Sequence, residues 1–219
     1  MDKRKVFDTL VRTGIVPVIR TDSTSDAHAV VEALEAGAVG IAEITMTTPG
    51  AIDIIDDLVR TRGERLLVGA GTVTDLDRCL KAIAAGARFI VTPTCELEIV
   101  RACVQREICV IGGALTPTEV MENWKAGVTA VKVFPASVFG ARYLTMLQEP
   151  FPHIPLVPTG GITLENLGDY LRAGAAFVGA GGDLVPKAAL RDRKFSRITE
   201  RARLYVSAVK AARGQMTST

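Results

Sequence analysis

Two charged residues interrupt stretches that otherwise read as buried. Lys132 stands inside Ala130-Val131-Lys132-Val133-Phe134, and Glu43 inside Gly40-Ile41-Ala42-Glu43-Ile44. Burial penalises an ammonium ion, so a lysine held among apolar neighbours shifts toward its neutral amine. That amine is a nucleophile, and with a ketone it forms an imine. A carboxyl group converging on it has the matching task of moving protons through addition, loss of water and carbon–carbon bond chemistry. Plainer roles exist for both: Lys132 can snorkel to an opening or join an ion pair, and Glu43 can be its structural counter-ion. One lysine and one carboxylate, without metal ligands beside them, suit imine chemistry better than hydrolysis.

Two glycine-rich stretches suggest how the far end of a substrate is held. Thr159-Gly160-Gly161 and Gly179-Ala180-Gly181-Gly182 can both turn backbone N–H groups toward an oxyanion. The second leads toward a helix start, whose dipole favours negative charge. Tight turns use glycine pairs too, so each pair alone leaves both readings open.

The elements that must carry these residues follow from a hidden repeat. Ala36-Gly37-Ala38, Ala85-Gly86-Ala87, Ala126-Gly127-Val128 and Ala173-Gly174-Ala175 each precede an apolar, β-rich run, with the glycines 49, 41 and 47 residues apart. Each reads as a helix end with a left-handed glycine cap, a short loop and a buried strand. Four further runs, at 15–19, 66–68, 108–111 and 154–157, raise the strand count to eight. Helical periodicity fills Asp26–Ala36, Thr74–Ala85, Pro117–Ala126 and Leu164–Ala173. Strands that alternate with helices and are apolar on both faces call for a parallel sheet covered on both sides. The expected fold is an α/β single-domain (β/α)8 TIM barrel over residues 1–219. An open doubly wound sheet is the competitor; even strand spacing and the lack of a GxGxxG fingerprint favour the barrel. Residues 2–13 read as an extra N-terminal helix plugging the barrel, and 192–212 as a basic amphipathic C-terminal helix.

In such a barrel, chemistry sits where strands end. Those positions hold Arg20, Glu43, Thr72, Pro93, Gly112-Gly113, Lys132, Thr159-Gly160-Gly161 and Gly181-Gly182. The glycine pairs fall at loops seven and eight, where phosphate sites of this fold recur. That placement favours the anion reading of both.

Composition narrows the function classes. The net charge is +2 with signs interspersed, which argues against a nucleic-acid partner. No apolar stretch is long enough for a transmembrane helix, and MDKRKVFDTL lacks the apolar centre of a signal peptide, so a cytoplasmic protein is expected. Cys79, Cys95, Cys103 and Cys109 form no CxxC pair and lie far from His28 and His153, so neither a metal nor another cofactor is expected.

The segments GIAEITMTTPGA, LLVGAGTVTD, FIVTP, LTPTEV, VKVFPASVFG, PLVPTGGITLENL and VGAGGDLVP together resemble the family of 2-keto-3-deoxy-6-phosphogluconate (KDPG) and 4-hydroxy-2-oxoglutarate (KHG) aldolases. The resemblance runs from about residue 10 to residue 210. It implies a metal-free class I aldolase, usually a homotrimer, that cleaves phosphorylated 2-keto-3-deoxy sugar acids to pyruvate and glyceraldehyde 3-phosphate. Some members also split 4-hydroxy-2-oxoglutarate to pyruvate and glyoxylate. It implies Lys132 as the Schiff-base lysine, Glu43 as the acid/base and Thr72 as a contact to the pyruvate carboxylate, with Arg20 matching an arginine after the first strand. Pro93, Thr159, Gly160, Gly161, Gly181 and Gly182 match the substrate and phosphate loops. Two departures stand out: Thr47 replaces an arginine common four residues after the glutamate, and Asp183 brings an acidic side chain to the supposed anion site. Carboxylate binding would then fall to Arg20 and Thr72. Alternatives are an aldolase for phosphogalactonate-type or unphosphorylated acids, a phosphate-binding isomerase or epimerase without an imine, and a non-catalytic binding module.

Overall fold

The eight apolar runs form eight parallel strands: β1 (Ile15–Ile19), β2 (Ile41–Thr45), β3 (Leu67–Gly71), β4 (Phe89–Val91), β5 (Cys109–Ala114), β6 (Ala130–Val133), β7 (Leu156–Pro158) and β8 (Val178–Ala180). Their order is β7-β6-β5-β4-β3-β2-β1-β8, and a single bridge between Thr159 and Gly179 joins the two outer strands. The sheet therefore closes into a barrel at a seam where a side chain on residue 179 would lie 2.4 Å from Thr159 Oγ1. The computed structural model describes residues 1–216.

Helices fill the crossovers: α1 (Lys3–Thr13), α2 (Thr24–Ala36), α3 (Ala51–Arg62), α4 (Leu76–Ala84), α5 (Leu97–Gln105), α6 (Pro117–Ala126), α7 (Gly140–Gln148), α8 (Leu167–Arg172), α9 (Lys187–Arg191) and α10 (Ser196–Met216). Local sequence sets their ends. Ser23, Asp75 and Thr116 each accept a bond from a first-turn backbone N–H, and Thr116 with Glu119 completes a capping box ahead of Pro117. Among the described residues, no helix is long and apolar enough to cross a membrane.

Strand alternation divides the interior in two. Ala42, Ile44, Val68, Ala70, Val110 and Val131 pack outward against the helices. Ile41, Leu67, Phe89, Ile111, Ala130 and Val157 point inward, joined from below by Val6 and Leu10 of α1. The N-terminal helix thus closes one end of the barrel, as its amphipathic pattern suggests.

The hidden repeat needs one correction. Gly86, Gly127 and Gly174 adopt the left-handed conformation, with φ near +92° to +95°, but Gly37 does not. Its φ is −89°, and Ala38 takes the positive value of 65° instead. Gly37 is small for a different reason: a side chain there would come within 2.4 Å of Ala202 Cβ and 2.9 Å of the Thr199 carbonyl on α10. The first repeat uses its glycine to dock the C-terminal helix. That helix starts at Ser196, four residues later than expected, because α9 and a turn occupy the preceding stretch.

Candidate active site

The upper end of the barrel opens into a cleft of about 580 Å3. Every site residue proposed from the sequence lines it except Glu43, which lies buried. Arg20, Thr72, Pro93, Lys132, Thr159, Gly160, Gly161, Gly181 and Gly182 all contribute.

Glu43 and Lys132 stay buried at 3% and 4% exposure, each inward-facing by strand parity, two residues above Ile41 and Ala130. Room for Glu43 comes from β3: a side chain on Gly71 would lie 1.9 Å from Glu43 Oε1. That oxygen has no hydrogen-bond partner among the described residues. Burial pushes the Glu43 carboxyl above its ordinary range, opposed by the charges of Lys132 and then Arg20. Burial likewise lowers Lys132, opposed by Glu43 and reinforced by Arg20. Both directions favour a neutral acid beside a neutral amine, the protonation states that nucleophilic attack on a ketone requires. Lys132 Nζ also lies 5.0 Å from the centre of the Phe134 ring, which forms part of the cleft wall.

Arg20 leans over the mouth and is held by a chain of hydroxyls. Its Nε donates to Thr47 Oγ1 at 3.1 Å, and Thr47 in turn lies 3.0 Å from Thr45 Oγ1. The threonine at 47 is therefore a support for Arg20. Thr72, directly after β3, lines the cleft and carries φ +54°, a strained value for a β-branched residue. After the neighbouring strand β4, Gly113 of β5 gives Pro93 its place, since a side chain at residue 113 would lie 2.3 Å from the Pro93 carbonyl carbon.

Loops seven and eight form the far wall. Gly160 and Gly161 have φ +89° and +75°, and a side chain would crowd Phe134 at the first and collide with Ser137 at the second. The Gly160 carbonyl accepts from Ser137 N and the Thr159 carbonyl from Ala136 N, tying loop seven to the end of β6. Loop eight reaches its helix only after a turn. No helix starts directly behind Gly182; a turn closed by Val185 N and the Gly181 carbonyl intervenes, and α9 begins only at Lys187. Asp183 lines the cleft but its carboxylate is engaged elsewhere: Oδ2 accepts from Tyr205 Oη at 2.7 Å and pairs with Arg201. Burial works to raise its pKa, yet the bonds from Tyr205 and Arg201 outweigh it and hold the group below the usual range. Loop eight therefore presents to the cleft an aspartate whose charge Arg201 already offsets.

Sequence reasoning missed Val18, Phe134, Ile162, Thr163, Val185 and Lys187 on the cleft wall. Phe134 follows β6 directly, and its adjacency to Lys132 was the available signal. Lys187 carried none, because it lies five residues beyond the glycine pair.

Residues 6–201 match the family model described as KDPG and KHG aldolase. A 2-dehydro-3-deoxy-phosphogluconate aldolase of Pseudomonas aeruginosa is 38% identical over 184 residues, covering 83% of each chain. The Dickeya dadantii protein of the same name is 35% identical over 95% of this chain and 98% of its own. Among solved structures, the KDPG aldolase of Legionella pneumophila with pyruvate captured as a covalent carbinolamine superposes with a TM-score of 0.84 at 34% identity, covering 90% of this chain and 96% of that one.

Proposed function

The chain belongs to the KDPG and KHG aldolase family of class I lyases, and on that footing we propose how its own residues divide the work. Lys132 Nζ attacks the C2 ketone of a 2-keto-3-deoxy acid. Glu43 relays the proton from nitrogen to oxygen, and then protonates the hydroxyl so that it leaves as water. The resulting iminium is the electron sink. Glu43, now a carboxylate, takes the proton of the C4 hydroxyl as the C3–C4 electrons move into the iminium, giving an enamine and an aldehyde. Protonation at C3 and addition of one water release pyruvate and regenerate the amine.

Arg20 and Thr72 bind the C1 carboxylate, with Arg20 held by Thr47. Loops seven and eight take the distal end. The observation that carries this reading is the inward pair of buried Glu43 and Lys132, with a Glu43 carboxylate oxygen that has no hydrogen-bond partner among the described residues. The distal substrate is read as a 6-phosphorylated acid of the gluconate series, with glyceraldehyde 3-phosphate as the aldehyde product.

The reading extends to a homotrimer in the cytoplasm. Val138, Phe139 and Met146 are exposed beside the mouth, and Phe139, Tyr143 and Met146 share one helical face, which supports an apolar contact between copies. Cys79 and Cys103, with sulfurs 3.6 Å apart and unbonded, fit a reducing compartment.

The test is trapping. Pyruvate with borohydride should leave a stable adduct whose mass maps to Lys132. An unmodified Lys132 after that treatment sinks the mechanism, and an isomerase or epimerase would give that result.

A further inference from the structure

Four charged side chains line the cleft: Arg20, Lys132, Asp183 and Lys187. Three are engaged. Arg20 rests on Thr47, Lys132 faces Phe134 and Glu43, and Asp183 is bound to Tyr205 and Arg201. Lys187 is exposed and makes no hydrogen bond or ion pair among the described residues.

The surroundings of Lys187 are fixed although its ammonium is not. Tyr205 is fully buried, and its hydroxyl lies 2.7 Å from Asp183 Oδ2 on loop eight and 3.3 Å from the Ile162 carbonyl on loop seven. One hydroxyl on α10 therefore ties both glycine loops together. Arg201 adds bonds to the Asp183 carbonyl and carboxylate, and Val185 N closes the turn onto Gly181. Lys187 follows this turn directly. Opposite a side chain at Gly182 there is open space, with nothing within 4 Å.

We propose that Lys187 is a specificity-determining residue for the distal end of the substrate, its ammonium pairing with a phosphate monoester. The inference deepens the aldolase reading above and rests on it. The physical ground is a charge balance. Asp183 is the acidic side chain among those lining the cleft, and Arg201 already neutralises it, so the rim carries an unmatched positive charge. A lysine ammonium is a compact point charge with rotatable donors, suited to a phosphate that backbone N–H groups already orient. Such a contact discriminates by charge and acts mainly on binding.

The experiment compares kcat/KM for the 6-phosphorylated and the unphosphorylated form of the same 2-keto-3-deoxy acid, in the full-length protein and in Lys187→Ala, Lys187→Glu and Lys187→Arg. The ratio of the two constants should fall about fivefold in Lys187→Ala, as expected of a solvent-accessible ion pair, with the change in KM. It should fall further in Lys187→Glu, stay near the parent value in Lys187→Arg, and shrink with added salt. Pyruvate–borohydride labelling of Lys132 is run on each variant. An unchanged ratio in both Lys187→Ala and Lys187→Glu, with labelling intact, overturns this inference and leaves the aldolase reading standing. A parent protein that takes no label overturns the imine mechanism, and this inference falls with it.

Discussion

The lower and upper halves of the barrel interior are built on the same strands with the same inward parity, and they are filled by opposite rules. Below, Ile41, Leu67, Phe89, Ile111 and Ala130 pack into one apolar cluster sealed by Val6 and Leu10. Two residues up the same strands stand Glu43, Gly69, Val91, Gly113 and Lys132. There the chain accepts two buried ionisable groups and an unpartnered carboxylate oxygen. Burying such groups opposes folding. The lower half supplies stability, and the upper half spends part of it on reactivity.

Replacing Lys132 should break that contrast most sharply. Lys132→Met fills the same volume without a charge and removes the nucleophile. Turnover should fall by roughly 10,000-fold or more, measured by pyruvate release. With Glu43 held toward its neutral form no uncompensated charge is left behind, so the folded state should gain about 1 kcal/mol in denaturant titration, the cost of a buried polar group removed. A loss of stability instead would mean that Lys132 belongs to the supporting half.

Two glycines of β3 meet the two halves within a single strand, Gly69 bordering the Phe89 ring below and Gly71 the Glu43 carboxyl. At Gly71 a methyl group would displace the Glu43 carboxyl, whereas at Gly69 it would enter the Phe89 ring at 2.4 Å. Gly71→Ala should therefore lower kcat, by roughly 100-fold as for loss of a general acid/base, with a small change in melting temperature. Gly69→Ala should cost about 1–3 kcal/mol of stability through overpacking, while the folded fraction keeps its kcat. Thermal melts read beside active-site-titrated turnover distinguish the two outcomes.

How much of this was legible in the sequence follows the same division. Strand and helix alternation set the fold because buried parallel strands and capped helices each leave a local pattern, as Thr116 with Glu119 does ahead of Pro117. Glu43 and Lys132 were visible because a charge in an apolar run violates that pattern. Contacts between distant segments left no such trace. Gly37 reads as a helix cap like its three counterparts, yet its smallness serves Ala202 on α10, 165 residues away. Asp183 reads as an acidic intruder at an anion site until Tyr205 and Arg201 are seen to hold it.

Stability against pH should sharpen the comparison by a smaller amount. The folded pKa of Glu43 is raised, so its contribution is fully present below the unfolded carboxylate pKa and is lost as pH rises through the folded value. The folded pKa of Lys132 is lowered, so its contribution is present above the unfolded lysine pKa and is lost as pH falls through the folded value. Both groups therefore weaken the fold between those limits. Glu43→Gln should gain on the parent as pH rises from acid toward neutrality, and the advantage of Lys132→Met should shrink in strong alkali. Flat differences across that range would mean that folding shifts neither pKa.

The smallest expected effect concerns Thr47, where the upper half depends on a side chain outside the reacting pair. Thr47 Oγ1 accepts from Arg20 Nε and neighbours Thr45 Oγ1, so it orients the guanidinium from behind. Thr47→Ala removes the acceptor and leaves the charge. KM for the keto acid should rise about threefold, the scale of one exposed hydrogen bond, while kcat changes by less than about twofold because Lys132 and Glu43 are untouched. Thr47→Ser keeps the oxygen and should restore KM. A fall in kcat with KM unchanged would move Arg20 from holding the carboxylate to tuning the buried pair, since its charge opposes the rise in Glu43 and adds to the fall in Lys132. The pH profile of kcat would then shift in Thr47→Ala, and under carboxylate binding alone it stays in place.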